Sequence, residues 1–390
     1  MKKKRILYLH PHFTLPGGAG RHALETGKEL ALRGWDVHIV SIRNSDSLTS
    51  DYKTITFHQL GGPLSSSLLF WIRLPLIMWK VRRLIKALSP DIVFSQVFPA
   101  NWWGFVAKAS VGEAVTHVWM CQEPSAFIHS KKWIQALPYS AAGIGARLLN
   151  PLLKIIDRKL ATHVDAVFAN SHFSKQLALD AYGYPESLVG ICYPGVDSTR
   201  FFPSTAVSKK ELQFVTCARL TKFKNVDKIL AALHELKPLP ITLVVIGDGE
   251  EYHALVELSK RLSLEHSVAF RRSVSDSEMV DALRESRALI HAAEEEPFGL
   301  APVEAMACGT PVIAIKGGGP AETVIHGETG YLCNAATPTE LSSAIRWIIS
   351  QKQSYEAAQA RCTTRARLFS WQAATDSLEA VFGTSSDQSR

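Results

Sequence analysis

Two pairs of charged side chains in the second half of this 390-residue chain have the types and spacing to handle an anionic, hydroxylated ligand. Arg219 and Lys224 stand five positions apart in Ala218-Arg219-Leu220-Thr221-Lys222-Phe223-Lys224, directly after the apolar run Gln213 to Cys217. A guanidinium offers phosphate oxygens a planar fork and an ammonium offers a mobile point charge, so one loop presents both. Glu296 and Glu304 stand eight apart within EEEPFGLAPVEAMACGTPVIAIKGGG, Glu294 to Gly319. Glu296 falls in the loop after the strand Ala288-Leu289-Ile290. The spacing predicts a helix starting near Pro302, which puts Glu304 in its first turn. Cys308-Gly309 ends that helix, Pro311 to Ile315 reads as a buried strand, and Gly317-Gly318-Gly319 opens the next helix at Pro320. Two successive strand-to-helix loops thus meet at the carboxyl edge of a sheet, where α/β folds take ligands. Singly, each residue has a plainer account: Glu304 as a capping-box partner of its own helix, Glu296 as part of a solvated acidic run, Lys224 as loop surface.

Elements able to position these groups alternate along the whole chain. The first half reads as a strand Arg5 to His10, a Gly-rich loop at Gly17-Gly18-Ala19-Gly20, a helix to about Arg33, and a strand Asp36 to Ile42. Further strands are predicted at Ile92 to Phe94, Thr116 to Met120 and Ala166 to Ala169, with a helix from Asn170-Ser171 through Tyr182. Pro194 to Pro203 is rich in turn residues and reads as a hinge. After it come a helix from Asn225, a strand Ile241 to Ile246 ending in Gly247-Asp248-Gly249, and a strand Ser267 to Phe270. Such alternation predicts an α/β protein of parallel sheets covered on both faces.

Composition narrows the function classes. With 46% hydrophobic and 20% charged residues the chain is of the soluble globular type. Its longest apolar stretch, Leu68 to Ile85, is broken by Arg73, Pro75, Lys80, Arg82 and Arg83. Six scattered cysteines without a C-x-x-C argue against a zinc site or disulfide framework and suit a reducing cytoplasm. A net charge of +7 points to anionic partners such as nucleotide phosphates or anionic lipid, with no nucleic-acid module in view. No D-x-D triplet occurs, so a metal-bridged diphosphate is not expected. Gly18-x-Gly20-x-x-Ala23 formally fits a dinucleotide fingerprint, but it lies too far beyond the first strand, and no acidic residue closes the second strand to hold a ribose.

The Glu294–Gly319 string resembles the signature of family 4 retaining glycosyltransferases, and Arg219 to Lys224 is similar to that family's R-x4-K pattern. The resemblance covers nearly the full length and is strongest in the second half. It implies the GT-B fold of two Rossmann-like domains with a cleft between them. Residues 1–195 would form the acceptor side and 196–366 the nucleotide-sugar domain, with 367–390 a C-terminal helix crossing back to the first domain plus a tail. It implies transfer of a hexose, mannose-like favoured, from GDP-mannose or a UDP-sugar to a glycan or lipid-linked acceptor, without metal or cofactor. Glu296 would contact the donor sugar, Arg219 and Lys224 would neutralise the departing diphosphate, and Glu304 would hydrogen-bond the ribose. Gly17, Gly18, Gly247, Val274, Phe298, Gly299 and Leu300 complete the implied donor site.

Two positions depart from the pattern. Gln122 stands where many relatives carry an active-site His, leaving His129 as either a substitute or an ordinary loop residue, and Arg272 stands where relatives usually have Gly. A sugar-nucleotide epimerase or a non-catalytic sugar-nucleotide-binding protein would share the fold. Leu68 to Lys86 mixes aromatic, aliphatic and basic residues and reads either as a helix at the inner membrane surface or as a core helix with one basic face. The segment from Lys131-Lys132-Trp133 to Lys159 adds support for a lipid-linked acceptor, and Trp102-Trp103 would stack on an acceptor sugar or fill the core.

Overall fold

A computed structural model describes residues 3–14, 17–62, 68–112, 115–130, 134–135, 141–204, 206–351 and 355–384; Lys131-Lys132-Trp133 lie outside them. The chain forms two compact units. One is Met1–Tyr193 together with Trp371–Arg390, and the other is Pro194–Ser370. The divisions therefore fall at the start of the expected hinge and four residues beyond the expected second boundary.

The first unit is built on seven parallel strands: β1 (Arg5–Leu9), β2 (Asp36–Ser41), β3 (Thr56–Gln59), β4 (Ile92–Ser95), β5 (Thr116–Met120), β6 (Ala166–Ala169) and β7 (Val189–Ile191). They lie in the order β3-β2-β1-β4-β5-β6-β7, so the progression reverses between β1 and β4. Strands such as Arg5-Ile6-Leu7-Tyr8-Leu9 are buried on both faces, which is why they read as continuous apolar runs rather than alternating ones. Ile6 and Tyr8 face one layer, where helices α1 (Gly18–Leu32) and the C-terminal helix Trp371–Thr384 pack together. Leu7 and Leu9 face the other, under α2 (Leu68–Leu88) and α3 (Ala100–Val111). The helices α4 (Ala126–His129) and α5 (Ala141–Ala161) follow in the chain, and α5 also packs on α3.

The C-terminal helix is part of this core, not an appendage. Trp371, Leu378 and Phe382 are buried with Tyr8, Ile39 and Phe94, and Phe382 meets Phe94 edge-on at 5.8 Å. At its rim Arg33 Nη1 donates to Asp376 Oδ1 and Glu379 Oε2, both at 2.6 Å, and Trp35 Nε1 donates to Glu379 Oε1 at 2.7 Å.

The second unit has six parallel strands: β8 (Lys210–Cys217), β9 (Thr242–Ile246), β10 (Val268–Arg271), β11 (Ser286–His291), β12 (Val312–Ile315) and β13 (Gly330–Cys333). Their order is β10-β9-β8-β11-β12-β13, with the reversal between β8 and β11. Phe214, Val245, Ile290 and Ile313 form the centre of its core beneath α6 (Val226–Glu235), whose Ile229, Leu230 and Leu233 face the sheet. Loops leaving β8 and β11 run to opposite faces of the sheet, which opens a crevice at their carboxyl ends. Arg219 and Lys224 leave from β8, and Glu296 from β11. No helix among the described residues is long and apolar enough to cross a membrane.

Candidate functional site

The loop after β8 is fixed by its neighbour after β9. Leu220 N donates to Asp248 O at 2.9 Å, Ala218 N to Ile246 O at 3.1 Å and Glu251 N to Leu220 O at 3.0 Å. The contact is so close that a Cβ on Gly247, whose φ is +135°, would come within 1.9 Å of Ala218 O. Residues Lys222–Lys224 make one 3₁₀ turn, and Asn225 takes the left-handed conformation with φ 51°. The Asn225 side chain donates from Nδ2 to Ala292 O at 3.0 Å, which ties the β8 loop to the β11 loop across the reversal. Lys224 is thereby aimed at Glu296, and the two form an ion pair. Arg219 is exposed on the same loop and forms no ion pair among the described residues, so its five donors remain available to a ligand.

The β11 loop is clamped from its other side. Gly319 N donates to Glu296 O at 2.8 Å, and a Cβ on Gly318 would fall 2.6 Å from Glu296 O and 2.8 Å from Glu296 N. Phe298 is buried and meets Phe369 edge-on at 5.8 Å. The glycine loop after β12 thus sets the backbone that carries Glu296. Its side chain is 18% exposed and also lies 3.4 Å from His291 Nε2 at the end of β11. Burial pulls the Glu296 carboxyl upward, but His291 and Lys224 outweigh it and hold the group at about 2, so it is ionised at any ordinary pH. A permanently ionised carboxylate accepts hydrogen bonds from hydroxyls. It does not act as the general acid that a pair of glycosidase carboxylates requires.

Glu304 differs from its expected placement. The helix α7 (Leu300–Ala307) begins at Leu300, after Gly299 at φ +85°, so Glu304 is its fifth residue, not its third. The capping-box account does not apply there, because it acts within the first turn. Glu304 is buried on the wall of α7. Val274 is half-buried just beyond β10. Arg272, beside it, leans across the β9 loop, donating from Nε to Asp248 Oδ1 at 3.1 Å and from Nη2 to Oδ2 at 2.9 Å, and lies 4.5 Å above the Tyr252 ring.

In the first unit Gly17 precedes α1 in an extended conformation and Gly18 is its first residue; a Cβ at Gly17 would meet nothing within 4 Å. Gly18 and Gly20 both lie inside the helix, which removes the dinucleotide reading, since that fingerprint needs its first glycine in the turn after the strand. His129 Nε2 sits 2.8 Å from Oδ2 of Asp157, a fully buried carboxylate that also accepts from Tyr182 Oη at 2.8 Å, Trp102 Nε1 at 2.6 Å and Asn101 Nδ2 at 3.2 Å. That cluster fastens α3, α4 and α5 together, and it accounts for His129 as a packing residue. Trp102 and Trp103 are likewise buried and fill the core.

Family models match in two consecutive blocks that together span most of the chain: Glycosyltransferase Family 4 over residues 16–200 and Glycosyl transferases group 1 over 197–368. This chain belongs to the family 4 glycosyltransferases. Among its relatives, the N-acetyl-alpha-D-glucosaminyl L-malate synthase of Bacillus anthracis is 25% identical over 335 residues, covering 83% of this chain and 82% of that protein. The D-inositol 3-phosphate glycosyltransferase of Rhodococcus jostii (strain RHA1) is 27% identical over 242 residues, covering 58% of this chain and 54% of the relative. The fold is that of Anabaena Alr3699/HepE, crystallised with UDP and glucose: TM-score 0.79 at 21% identity, covering 98% of this chain and all of the other.

Sequence reasoning missed several polar groups of this glycosyltransferase. His291, which closes β11, is a second neighbour of Glu296 able to carry positive charge. At the reversal of the first sheet, His10 follows β1 and Gln96 follows β4, and Gln96 N donates to Leu9 O at 3.0 Å, which brings them side by side. Both are buried, and neither the His10 ring nitrogens nor the Gln96 amide atoms make a hydrogen bond of ordinary geometry. Burial pushes His10 down to about 3, so its imidazole is neutral. The signal was a polar residue closing an apolar strand on either side of the order reversal.

Proposed function

We propose that this enzyme transfers a hexose from a uridine diphosphate sugar to a hydroxyl of a glycan or lipid-linked acceptor, with retention at the anomeric carbon. One observation carries the donor half of this reading. Lys224 and Glu296 are brought together, with Arg219 beside them, at the strand reversal of the second sheet. As the glycosidic bond breaks, its electron pair goes to the diphosphate, and Arg219 and Lys224 would take up that charge. Preset positive groups of this kind are worth about 3 kcal/mol each in such sites. Glu296, ionised, would accept hydrogen bonds from the sugar hydroxyls, and Glu304 from the ribose. Gly247, Val274, Phe298, Gly299 and Leu300 would shape the surrounding wall, and in the first unit the backbone at Gly17-Gly18 would take a phosphate or the acceptor. The acceptor oxygen bonds to the anomeric carbon from the face the diphosphate leaves, and its proton passes to the departing phosphate oxygen.

The family resemblance implied a mannose-like donor, from GDP-mannose or a UDP-sugar. The names of relatives speak of UDP, glucose and N-acetylglucosaminyl groups, and they move the reading to a uridine nucleotide. The test is calorimetric titration of UDP, GDP and their glucose, N-acetylglucosamine and mannose forms, followed by a UDP-release assay. UDP-sugar binding, and Arg219→Ala turnover reduced roughly a hundredfold, are expected. Preference for GDP-mannose would overturn the base assignment. Release of an epimerised sugar nucleotide without any acceptor would overturn the transfer reading.

A further inference from the structure

The helix α5 is amphipathic with its sides reversed. It turns its polar residues Asn150 and Asp157 into the protein, where Asn150 Nδ2 donates to Ile128 O at 2.9 Å and Asp157 anchors the His129–Tyr182–Trp102 cluster. Its large aliphatic residues point outward: Leu148 is 76% exposed, Ile155 64%, Leu149 57%, Leu152 55% and Ile144 48%. At 100° per residue these five occupy one continuous face. The helix α2 buries Phe70, Ile77, Val81 and Ile85 in the core yet presents a second apolar row outward, with Ile72 69% exposed and Leu69, Leu76 and Trp79 about half exposed, at three- and four-residue spacing. Both helices pack on α3, on the same layer of the first unit. A soluble protein rarely leaves such rows uncovered.

Charge identifies what covers them. The two helices carry nine basic residues and a single acid, Asp157, which is fully buried. Lys159 shares the outward face of α5, the exposed Arg158 borders it, and Arg83 stacks 4.9 Å from the Trp79 ring at the end of the α2 row. Aliphatic side chains outward, a half-exposed tryptophan and several cations, with no exposed carboxylate on either helix, match the interface of an anionic bilayer. A protein partner or a second copy of this chain would be expected to meet mixed charge. We infer that this enzyme docks on an anionic lipid surface through the outward faces of α5 and α2, lying in the headgroup layer without spanning it. The inference does not rest on the donor reading, because lipid binding is measured without donor or acceptor.

The experiment is co-sedimentation of the full chain with vesicles of phosphatidylcholine alone or mixed with phosphatidylglycerol. Binding is expected to the anionic vesicles, falling with added salt. Leu148→Gln with Ile155→Gln should lower partitioning by about tenfold or more, and Lys159→Gln by roughly fivefold. All three positions are exposed, so thermal unfolding should be unchanged, which separates lost docking from lost folding. Equal binding to neutral and anionic vesicles would overturn the inference. So would no vesicle binding together with a dimer, seen by light scattering, that dissociates in the double variant. Brominated lipid should quench part of the tryptophan emission; the same quenching in Trp79→Phe would remove α2 from the docking face.

Discussion

Replacing Glu296 with Gln keeps the shape of the side chain and deletes the charge that Lys224 and His291 surround. In the folded protein the carboxyl is held at about 2 instead of its usual 4.5. At roughly 1.4 kcal/mol per pH unit, that corresponds to about 3 kcal/mol in favour of the ionised form. The side chain is 18% exposed, so water screens part of this, and a loss of about 2–3 kcal/mol at pH 7 is expected. For a unit of this size each kcal/mol moves Tm by roughly 2–4 °C, giving a drop of about 4–12 °C in the transition of the second unit by scanning calorimetry. The pH dependence has a fixed sign. A carboxyl whose folded value is depressed contributes stability that is complete above about 4.5 and is lost as pH falls through about 2. The natural protein should therefore lose its advantage over Glu296→Gln in acid, while the variant's own curve lacks this component. Equal Tm values at pH 7, or a gap that stays constant from pH 7 to pH 3, would refute the pairing argument.

Other substitutions probe the supports of the site. Gly318→Ala forces a methyl against the Glu296 backbone and should cost about 1–3 kcal/mol in urea unfolding and reduce turnover, whereas Gly317→Ala, which meets nothing within 4 Å, should match the parent in both. Asp157→Asn leaves the His129 and Tyr182 side chains of the buried cluster poorly partnered and should destabilise the first unit by about 3 kcal/mol, while UDP affinity in titration calorimetry stays unchanged. Arg272→Gly removes an exposed fork to Asp248, so Tm should hold while UDP affinity shifts; an unaltered affinity would separate the Val274 segment from the base.

Much of this was legible because parallel strands buried on both faces announce themselves as apolar runs, and β1, β5, β8, β11 and β12 were read within three residues at either end. The pairing of Lys224 with Glu296 was implied only as membership of one site. The contact itself depends on Asn225 in a left-handed turn and on Gly318 lying against Glu296, neither of which periodicity reveals. Glu304 was misplaced because Pro302 was taken for the first helical residue. Any of the first four positions lacks an N–H acceptor within the helix, so a proline at the third is equally tolerated. Strands β3, β7 and β13 are short and lie toward the sheet edges, without the apolar run that marks a central strand. Within the segment 131–159 the helix α5 is hidden for a different reason: Gly143, Gly145 and Pro151 speak against a helix, and its apolar period points away from the core.

The first unit is assembled from two stretches separated by the entire second one. During synthesis, Tyr8, Ile39 and Phe94 emerge long before Trp371, Leu378 and Phe382, the residues that bury them. The nascent amino-terminal half must therefore wait, partly uncovered, until the ribosome has passed the entire second unit. A stop codon just upstream of Trp371 would spare every residue of the donor site, yet it would strip the other unit of one wall and release a sticky, aggregation-prone product.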